Sequence, residues 1–226
     1  MGIVGLAVMA VTIGCRHGPG EADGSTGTPP DSAQATFEAM RDWYAQGAYA
    51  RLRPHIDPAQ RDNLIDLLVA LDELLAANEA VLAAIRAACP TADTAQFDLS
   101  YLRDWMELFS REARIVHKQE QDGRAVLTVQ VGMRMPFERL EFEFRDGRWV
   151  YLPGRIPRET ASAVRRLIVT LDRFRVTVAS ERPVTEDTLL QEYRIRVRPR
   201  LAQIVRTARE VDPSASAQPD GHAVVR

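Results

Sequence analysis

Residues 113–131 have the sequence ARIVHKQEQDGRAVLTVQV, and residues 140–152 have the sequence LEFEFRDGRWVYL. Apolar and polar residues alternate along both stretches, which is the period of a β-strand with one buried face. An Asp-Gly pair interrupts each stretch, at 122–123 and at 146–147, and this pair favours the two-residue turn of a hairpin. The pattern predicts an antiparallel meander of four strands, whose apolar face needs a helical layer to cover it.

The chain before these strands has a helical period. Apolar residues recur at helical spacing from Ala33 to about Gln46, and Gly47 can end that helix. A longer helix is predicted from Pro58 to Ala88, with Asp57 as its N-cap and a stripe of leucines along one side. A third, shorter helix is predicted from about Asp98. Its apolar positions are Leu102, Trp105, Met106 and Phe109.

The helical period returns after the strands. One helix is predicted to carry an apolar face, and a second begins after Thr185. Pro199 would kink the second helix, whereas Ile195 and Val197 between arginines also fit a short strand, and we favour the kinked helix. The apolar face of the first helix contains Val164, Leu167, Ile168, Leu171, Phe174 and Val178.

These elements predict an α+β fold, in which N-terminal helices pack on a four-stranded antiparallel meander and a C-terminal helical pair follows. Residues 33–152 form the α+β domain, and residues 153–210 form the helical pair packed on the same domain. The segment 211–226 (DPSASAQPDGHAVVR from Asp212) has the composition of a disordered tail.

The N-terminal region differs in composition from the rest of the chain. Residues 1–14 carry no charge, and the apolar run from Ile3 to Ile13 is too short to cross about 30 Å of hydrocarbon as a helix. It has the length of the apolar region of a secretory signal. Residues 16–32 (RHGPGEADGSTGTPPDS) have the composition of a flexible tether. The alternative to a secretory signal is a buried N-terminal strand or helix, in which case Cys15 at its end would be incidental.

The segment Val11-Thr12-Ile13-Gly14-Cys15 resembles the lipobox of bacterial lipoproteins. The resemblance implies that residues 1–14 are a removed signal peptide and that the thiol of Cys15 carries a lipid that anchors the chain to a membrane of the cell envelope. Arg16 stands where an Asp would indicate inner-membrane retention, which favours a periplasm-facing position at the outer membrane. Cys89 is the only other cysteine, so we expect no disulfide, and Cys89 should be buried or end a helix before Pro90.

The body resembles the nuclear-transport-factor-like (cystatin-like cone) superfamily over about residues 33–152. The resemblance rests on helices followed by a meander that ends in the hairpin Arg145-Asp146-Gly147-Arg148-Trp149. It implies a cone with an open mouth that can host a small ligand. The superfamily includes isomerase-like enzymes and plain binding modules, so function does not follow from this fold.

Motifs of several enzyme classes are not found in the sequence. The four histidines, at 17, 55, 117 and 222, are far apart, and none has a second His or Cys at metal-ligand spacing. No glycine-rich phosphate loop follows a strand, and no serine is flanked by glycines. Hydrolase, kinase and zinc-enzyme functions therefore rank low, and we expect no metal or cofactor.

His117 is the one candidate catalytic residue. Its parity places it with Ala113 and Ile115 toward the predicted interior, where it could act as a general acid or base near Asp98 or Tyr151. We favour the structural interpretation, in which one hydrogen bond satisfies the histidine. Trp149 and Tyr151 would complete such a pocket by stacking on a ligand, and for these two a core position is favoured.

The net charge of −2 is distributed unevenly. Residues 31–110 contain 13 acids against six arginines, whereas the C-terminal helices are rich in arginine. The favoured interpretation is that these helices pair with the acidic ones at their edges. The alternative is a basic surface that meets anionic lipid headgroups or an acidic envelope protein. Its candidate residues are Arg194, Arg196, Arg198 and Arg200.

Two functions from different classes remain. The favoured one is a membrane-anchored lipoprotein whose domain is a non-catalytic binding or scaffolding module. It predicts an interior filled by the protein's own aromatic residues. The alternative is an isomerase-like or cyclase-like enzyme of small molecules, with His117 as the base, and it requires His117 to lie in an open pocket. Nucleic acid is not an expected partner at an envelope location.

Overall fold

The computed structural model describes residues 31–105, 109–110, 112–133, 137–180 and 185–209. The predicted signal peptide, Cys15, most of the tether and the C-terminal tail lie outside these residues. The described helices are α1 (Ala33–Ala45), α2 (Tyr49–Leu52), α3 (Arg61–Ala88), α4 (Arg158–Ser180), α5 (Glu186–Arg196) and α6 (Arg198–Arg209). The strands are β1 (Ala113–Gln121), β2 (Arg124–Val131), β3 (Glu138–Arg145) and β4 (Arg148–Leu152). The predicted α+β fold is confirmed.

The four strands form one antiparallel sheet in the order β1-β2-β3-β4. Both Asp-Gly pairs form the predicted turns. The φ angles are 51° and 73° at Asp122 and Gly123, and 51° and 76° at Asp146 and Gly147. Positive φ at both central residues is the geometry of a type I′ turn, whose twist matches that of the strands it joins.

A β-bulge in β1 changes which side chains face the helices. Ile115 pairs with Val129, but the next pair is His117 with Thr128, so Val116 is an extra residue without an opposite partner. One inserted residue moves every later side chain of the strand to the other face. His117 is therefore exposed on the outer face of the sheet, and the prediction that it points inward is wrong.

The inner face of the sheet packs against the N-terminal helices. Phe37 and Met40 of α1 and Leu64 and Leu68 of α3 are at most 1% exposed in this layer. The cluster is called the sheet-side core. Its members are Ala33, Phe37, Met40, Leu52, Ile56, Leu64, Leu68, Phe109, Ala113, Ala125, Leu127, Val129, Val131, Leu140, Phe142, Trp149 and Tyr151.

A second cluster, the helical core, joins α3 to the C-terminal helices. Four leucines of α3, at 67, 71, 74 and 82, pack here with apolar residues of α4, α5 and α6. Helix α3 thus contributes to both the helical core and the sheet-side core. The main members are Leu71, Leu74, Val81, Leu82, Ile85, Phe97, Leu99, Leu102, Val164, Leu167, Leu171, Phe174, Val178, Leu189, Tyr193, Val197 and Ile204.

Helix α3 ends as predicted but begins three residues late. The backbone N–H of Asp57 donates to Tyr151 O at 2.9 Å, which holds this segment against the edge of the sheet. Its carboxylate binds Arg145 Nη1 at 3.0 Å instead of capping the helix. The chain consequently turns through residues 58–60 before α3 starts at Arg61. At the other end, Cys89 is buried and follows the last helical residue, as predicted.

The third helix, predicted from about Asp98, is a 3₁₀ helix at Ser100–Trp105, and another 3₁₀ turn, Thr94–Phe97, precedes it. Asn78 of α3 bonds Phe97 O and the N–H of Leu99, at 2.8 and 2.9 Å. These bonds hold the backbone between the turns against α3, where an α-helix would use the same groups itself. Residues 106–108 lie outside the described chain.

The last two helices confirm the kinked helix over the strand. Pro199 has no N–H to donate, and the helical path breaks at Val197, between α5 and α6. The backbone N–H groups of Arg200 and Leu201 both donate to Val197 O at 3.1 Å, which restarts the helix. Val197 itself is fully buried.

Candidate functional site

The residues of the predicted pocket do not come together. His117 is exposed on β1, whereas Trp149 and Tyr151 are 4% and 9% exposed on the inner face of β4. Strands β1 and β4 are the two edges of the sheet, which places them about 14 Å apart at ordinary strand spacing. The structure thus separates His117 from the two aromatics by both distance and face.

Of the two histidines in the described part of the chain, His55 is the buried one, at 7% exposure, and no sequence pattern singles it out. Its Nδ1 lies 3.0 Å from Trp149 O, and its ring centroid lies 5.1 Å from that of Trp43. Burial lowers the pKa of His55, and the charge of Arg148 acts in the same direction, against the opposing effect of the bond to Trp149. A neutral ring with Nδ1–H donating to the carbonyl follows. The partner is 94 residues away in sequence, which no spacing rule can detect.

A cleft of about 670 Å³ lies between α1, α3 and Phe109. We call it the Asp72 cleft. Tyr44 Oη donates to Asp72 Oδ1 at 2.9 Å, and Tyr49 Oη donates to the other carboxylate oxygen. Burial and then the bond to Asp72 raise the pKa of Tyr49, so its hydroxyl stays protonated. The lining residues are Glu38, Arg41, Asp42, Tyr44, Ala45, Gly47, Asp72 and Phe109.

The lining of the Asp72 cleft suits a cationic ligand better than an anionic one. It carries three carboxylates and one guanidinium, that of Arg41, which lies 5.3 Å from the ring centroid of Phe37 and donates to Ala113 O. The ring of Tyr44, whose centroid lies 5.0 Å from that of the buried Phe109, is half-buried and offers an aromatic surface, which also attracts cations. Within the part of the chain described, no three His, Cys, Asp or Glu residues are arranged to hold a metal ion.

The arginines of the C-terminal helices divide into paired and unpaired groups. Arg165 of α4 binds Asp66 of α3 at 2.5 Å and lies 4.0 Å from Glu73, and the bond from Arg165 lowers the pKa of Asp66. An ion pair between α4 and α3 is the kind of contact expected if the basic C-terminal helices pair with the acidic helices at their edges. Arg196 binds Glu192 at 2.5 Å on its own helix.

Three members of the predicted basic surface have no ion pair with any described residue. They are exposed, and they lie at the end of α5 and in the first turn of α6. The structure therefore leaves part of the predicted basic surface available to a partner. The three residues are Arg194, Arg198 and Arg200.

Comparison with known proteins adds no relative. No family model matches this chain, and no curated protein and no solved structure matches it. Among the residues described, no helix is both long enough and apolar enough to cross a bilayer. The assignment of function consequently depends on the sequence of the N-terminal region and on the geometry given above.

Proposed function

We propose that this protein is a membrane-anchored envelope lipoprotein whose domain is a non-catalytic binding or scaffolding module. The observation that carries the proposal is the order of segments: an uncharged apolar leader, Cys15, a polar tether and then the folded domain. Helix α1 begins at Ala33, immediately after residues 16–32, and Ser32 Oγ caps it by accepting from Ala35 N at 3.1 Å. The first described helix thus begins where the predicted tether ends.

The anchor in this proposal is a diacyl lipid on the thiol of Cys15. One acyl chain gives only marginal membrane binding, whereas two chains hold a protein stably. The lipobox resemblance, with Arg16 in place of an Asp, favours the outer membrane, with the domain facing the periplasm. The tether would keep the domain near the bilayer while leaving its orientation free.

The packing of the sheet supports binding over catalysis. Phe142, Trp149 and Tyr151 fill the inner face, where the isomerase-like alternative would need an open pocket. His117, the base of that alternative, is exposed on the outer face. A small ligand would instead enter the Asp72 cleft. The Asp72 carboxylate there accepts hydrogen bonds from the hydroxyls of Tyr44 and Tyr49.

Metabolic labelling with an alkyne fatty acid tests the anchor. The chain has two cysteines, so Cys89→Ser is the matched control for Cys15→Ala. We expect the parent and Cys89→Ser to incorporate the label and to sediment with membranes. Cys15→Ala should incorporate none and should not be processed to the shorter form. An unlabelled parent, or a labelled Cys15→Ala chain, would contradict the proposal.

A further inference from the structure

Helix α4 has neighbours on three of its sides. Its apolar side packs into the helical core. On one flank, Arg165 binds Asp66 of α3 at 2.5 Å. On the opposite flank, Thr177 Oγ1 accepts from Arg196 Nη1 of α5 at 3.3 Å. The remaining side is turned to solvent.

The solvent side of α4, called its outer face, has an unusual composition. Helical geometry places its seven residues within an arc of about 80°, and all seven are exposed. Three are arginines, and two are valines that are 51% and 57% exposed. No carboxylate lies within the arc. The residues are Arg158, Ser162, Arg166, Val169, Arg173, Val176 and Ser180.

The arginines of this face differ from those that stabilise the fold. None of Arg158, Arg166 and Arg173 has an ion pair with a described residue, whereas Arg165, next in sequence to Arg166, crosses to α3. The nearest carboxylates of the helix, Glu159 and Asp172, lie at the margins, and Asp172 lies 3.5 Å from Arg175. A merely solvated helix side commonly mixes both signs of charge.

The outer face is a positively charged and partly apolar strip about 33 Å long. Guanidinium groups bind lipid phosphates bidentately, and exposed valines can enter the headgroup region between them. The strip has no aromatic side chain, although aromatic anchors are typical of protein–protein hot spots. The positive charge of the strip therefore complements an anionic bilayer, whereas the strip lacks the aromatic anchors of a typical protein interface.

We propose that the outer face of α4 is the surface by which the domain lies against an anionic membrane. The inference rests on the proposed anchor, since a flexible tether of 17 residues has a root-mean-square span of about 23 Å. Such a span raises the effective concentration of the surface near the bilayer to the millimolar range, so a weak contact is enough. Ile195 of α5 is 62% exposed and is next in sequence to Arg196, which contacts Thr177 of α4.

Vesicle co-sedimentation of the mature chain tests this surface. The parent is the mature chain, residues 15–226, with Cys15→Ala, so it carries neither the apolar leader nor a lipid. The vesicles contain phosphatidylcholine with or without 30% phosphatidylglycerol, in about 0.1 M NaCl. We expect binding to the anionic vesicles only. Each arginine near an anionic surface contributes about fivefold, so Arg166→Gln with Arg173→Gln should weaken binding roughly 30-fold.

The matched control removes the same charge elsewhere. Arg114 and Arg139 are exposed on the outer face of the sheet, and the double change to Gln there should alter binding less than about twofold. An equal loss in both double variants would show a net-charge effect and overturn the proposal. Equal binding of the parent to neutral and anionic vesicles would also overturn it. So would a parent that binds no vesicles at all, and that result would leave an acidic protein as the partner. Since the parent lacks Cys15, this result is independent of lipid labelling.

Discussion

Asn78 offers a sharp test of how the helical core is held together. The side chain is 2% exposed on α3, and it donates to Phe97 O at 2.8 Å and accepts from Leu99 N at 2.9 Å. Asn78→Leu preserves the approximate volume but leaves two buried backbone groups unpaired. Each unpaired group costs about 2 kcal/mol, and the added apolar burial returns about 1 kcal/mol. We therefore expect a loss of about 3 kcal/mol.

The assay is urea unfolding followed by far-UV circular dichroism, with amide hydrogen exchange at Leu99 as a local probe. The matched control is Asn63→Leu, since Asn63 is half-buried and makes a single bond, to Ile156 O at 3.0 Å. That variant should lose about 1 kcal/mol or less, because water can replace the bond. A loss at Asn78 no larger than the loss at Asn63, or unchanged protection of Leu99, would refute the reasoning.

Two further predictions concern pH and backbone strain. Burial lowers the pKa of His55 below the ordinary 6.5, so the unfolded chain binds more protons as the pH falls. The contribution of His55 to stability is therefore complete above about pH 6.5 and is lost as the pH falls below it. His55→Gln should flatten the dependence of the melting temperature on pH between about pH 7.5 and 5.5, and the exposed control His117→Gln should not. Gly47 ends α1 with φ +67°, so Gly47→Ala should lower the free energy of unfolding by about 1 kcal/mol. Gly154→Ala should leave it nearly unchanged, and urea unfolding measures both variants. A flat parent profile, or equal effects of the two glycine changes, would contradict these expectations.

Local patterns were sufficient where neighbouring residues decide the structure. The alternation of 113–131 and 140–152 and the two Asp-Gly turns depend on residues adjacent in sequence, and the strands formed as predicted. The leucine stripe of α3 likewise indicated a long helix, and its predicted end at Ala88 was correct. Its start was wrong because a bond from Asp57 to Tyr151, a distant residue, holds the preceding turn.

The candidate sites depended on distant partners to a greater extent. One extra residue at Val116, visible only against the register of β2, moved His117 to the outer face. The Asp72 cleft joins α1, α3 and Phe109, so no single segment indicates it. The sequence showed that the C-terminal helices are basic, but only packing separates the paired Arg165 from Arg166 beside it.

The sequence by itself determined the helical and strand periods, the hairpin turns and the order of an apolar leader, a cysteine and a polar tether that predicts a lipid anchor. Each of these depends on composition or spacing within a short stretch. The tertiary structure decided which face His117 occupies, which arginines stay exposed and where a cleft forms. These features arise when segments far apart in sequence pack together, because pairing register and burial belong to contacts between elements and not to any one element.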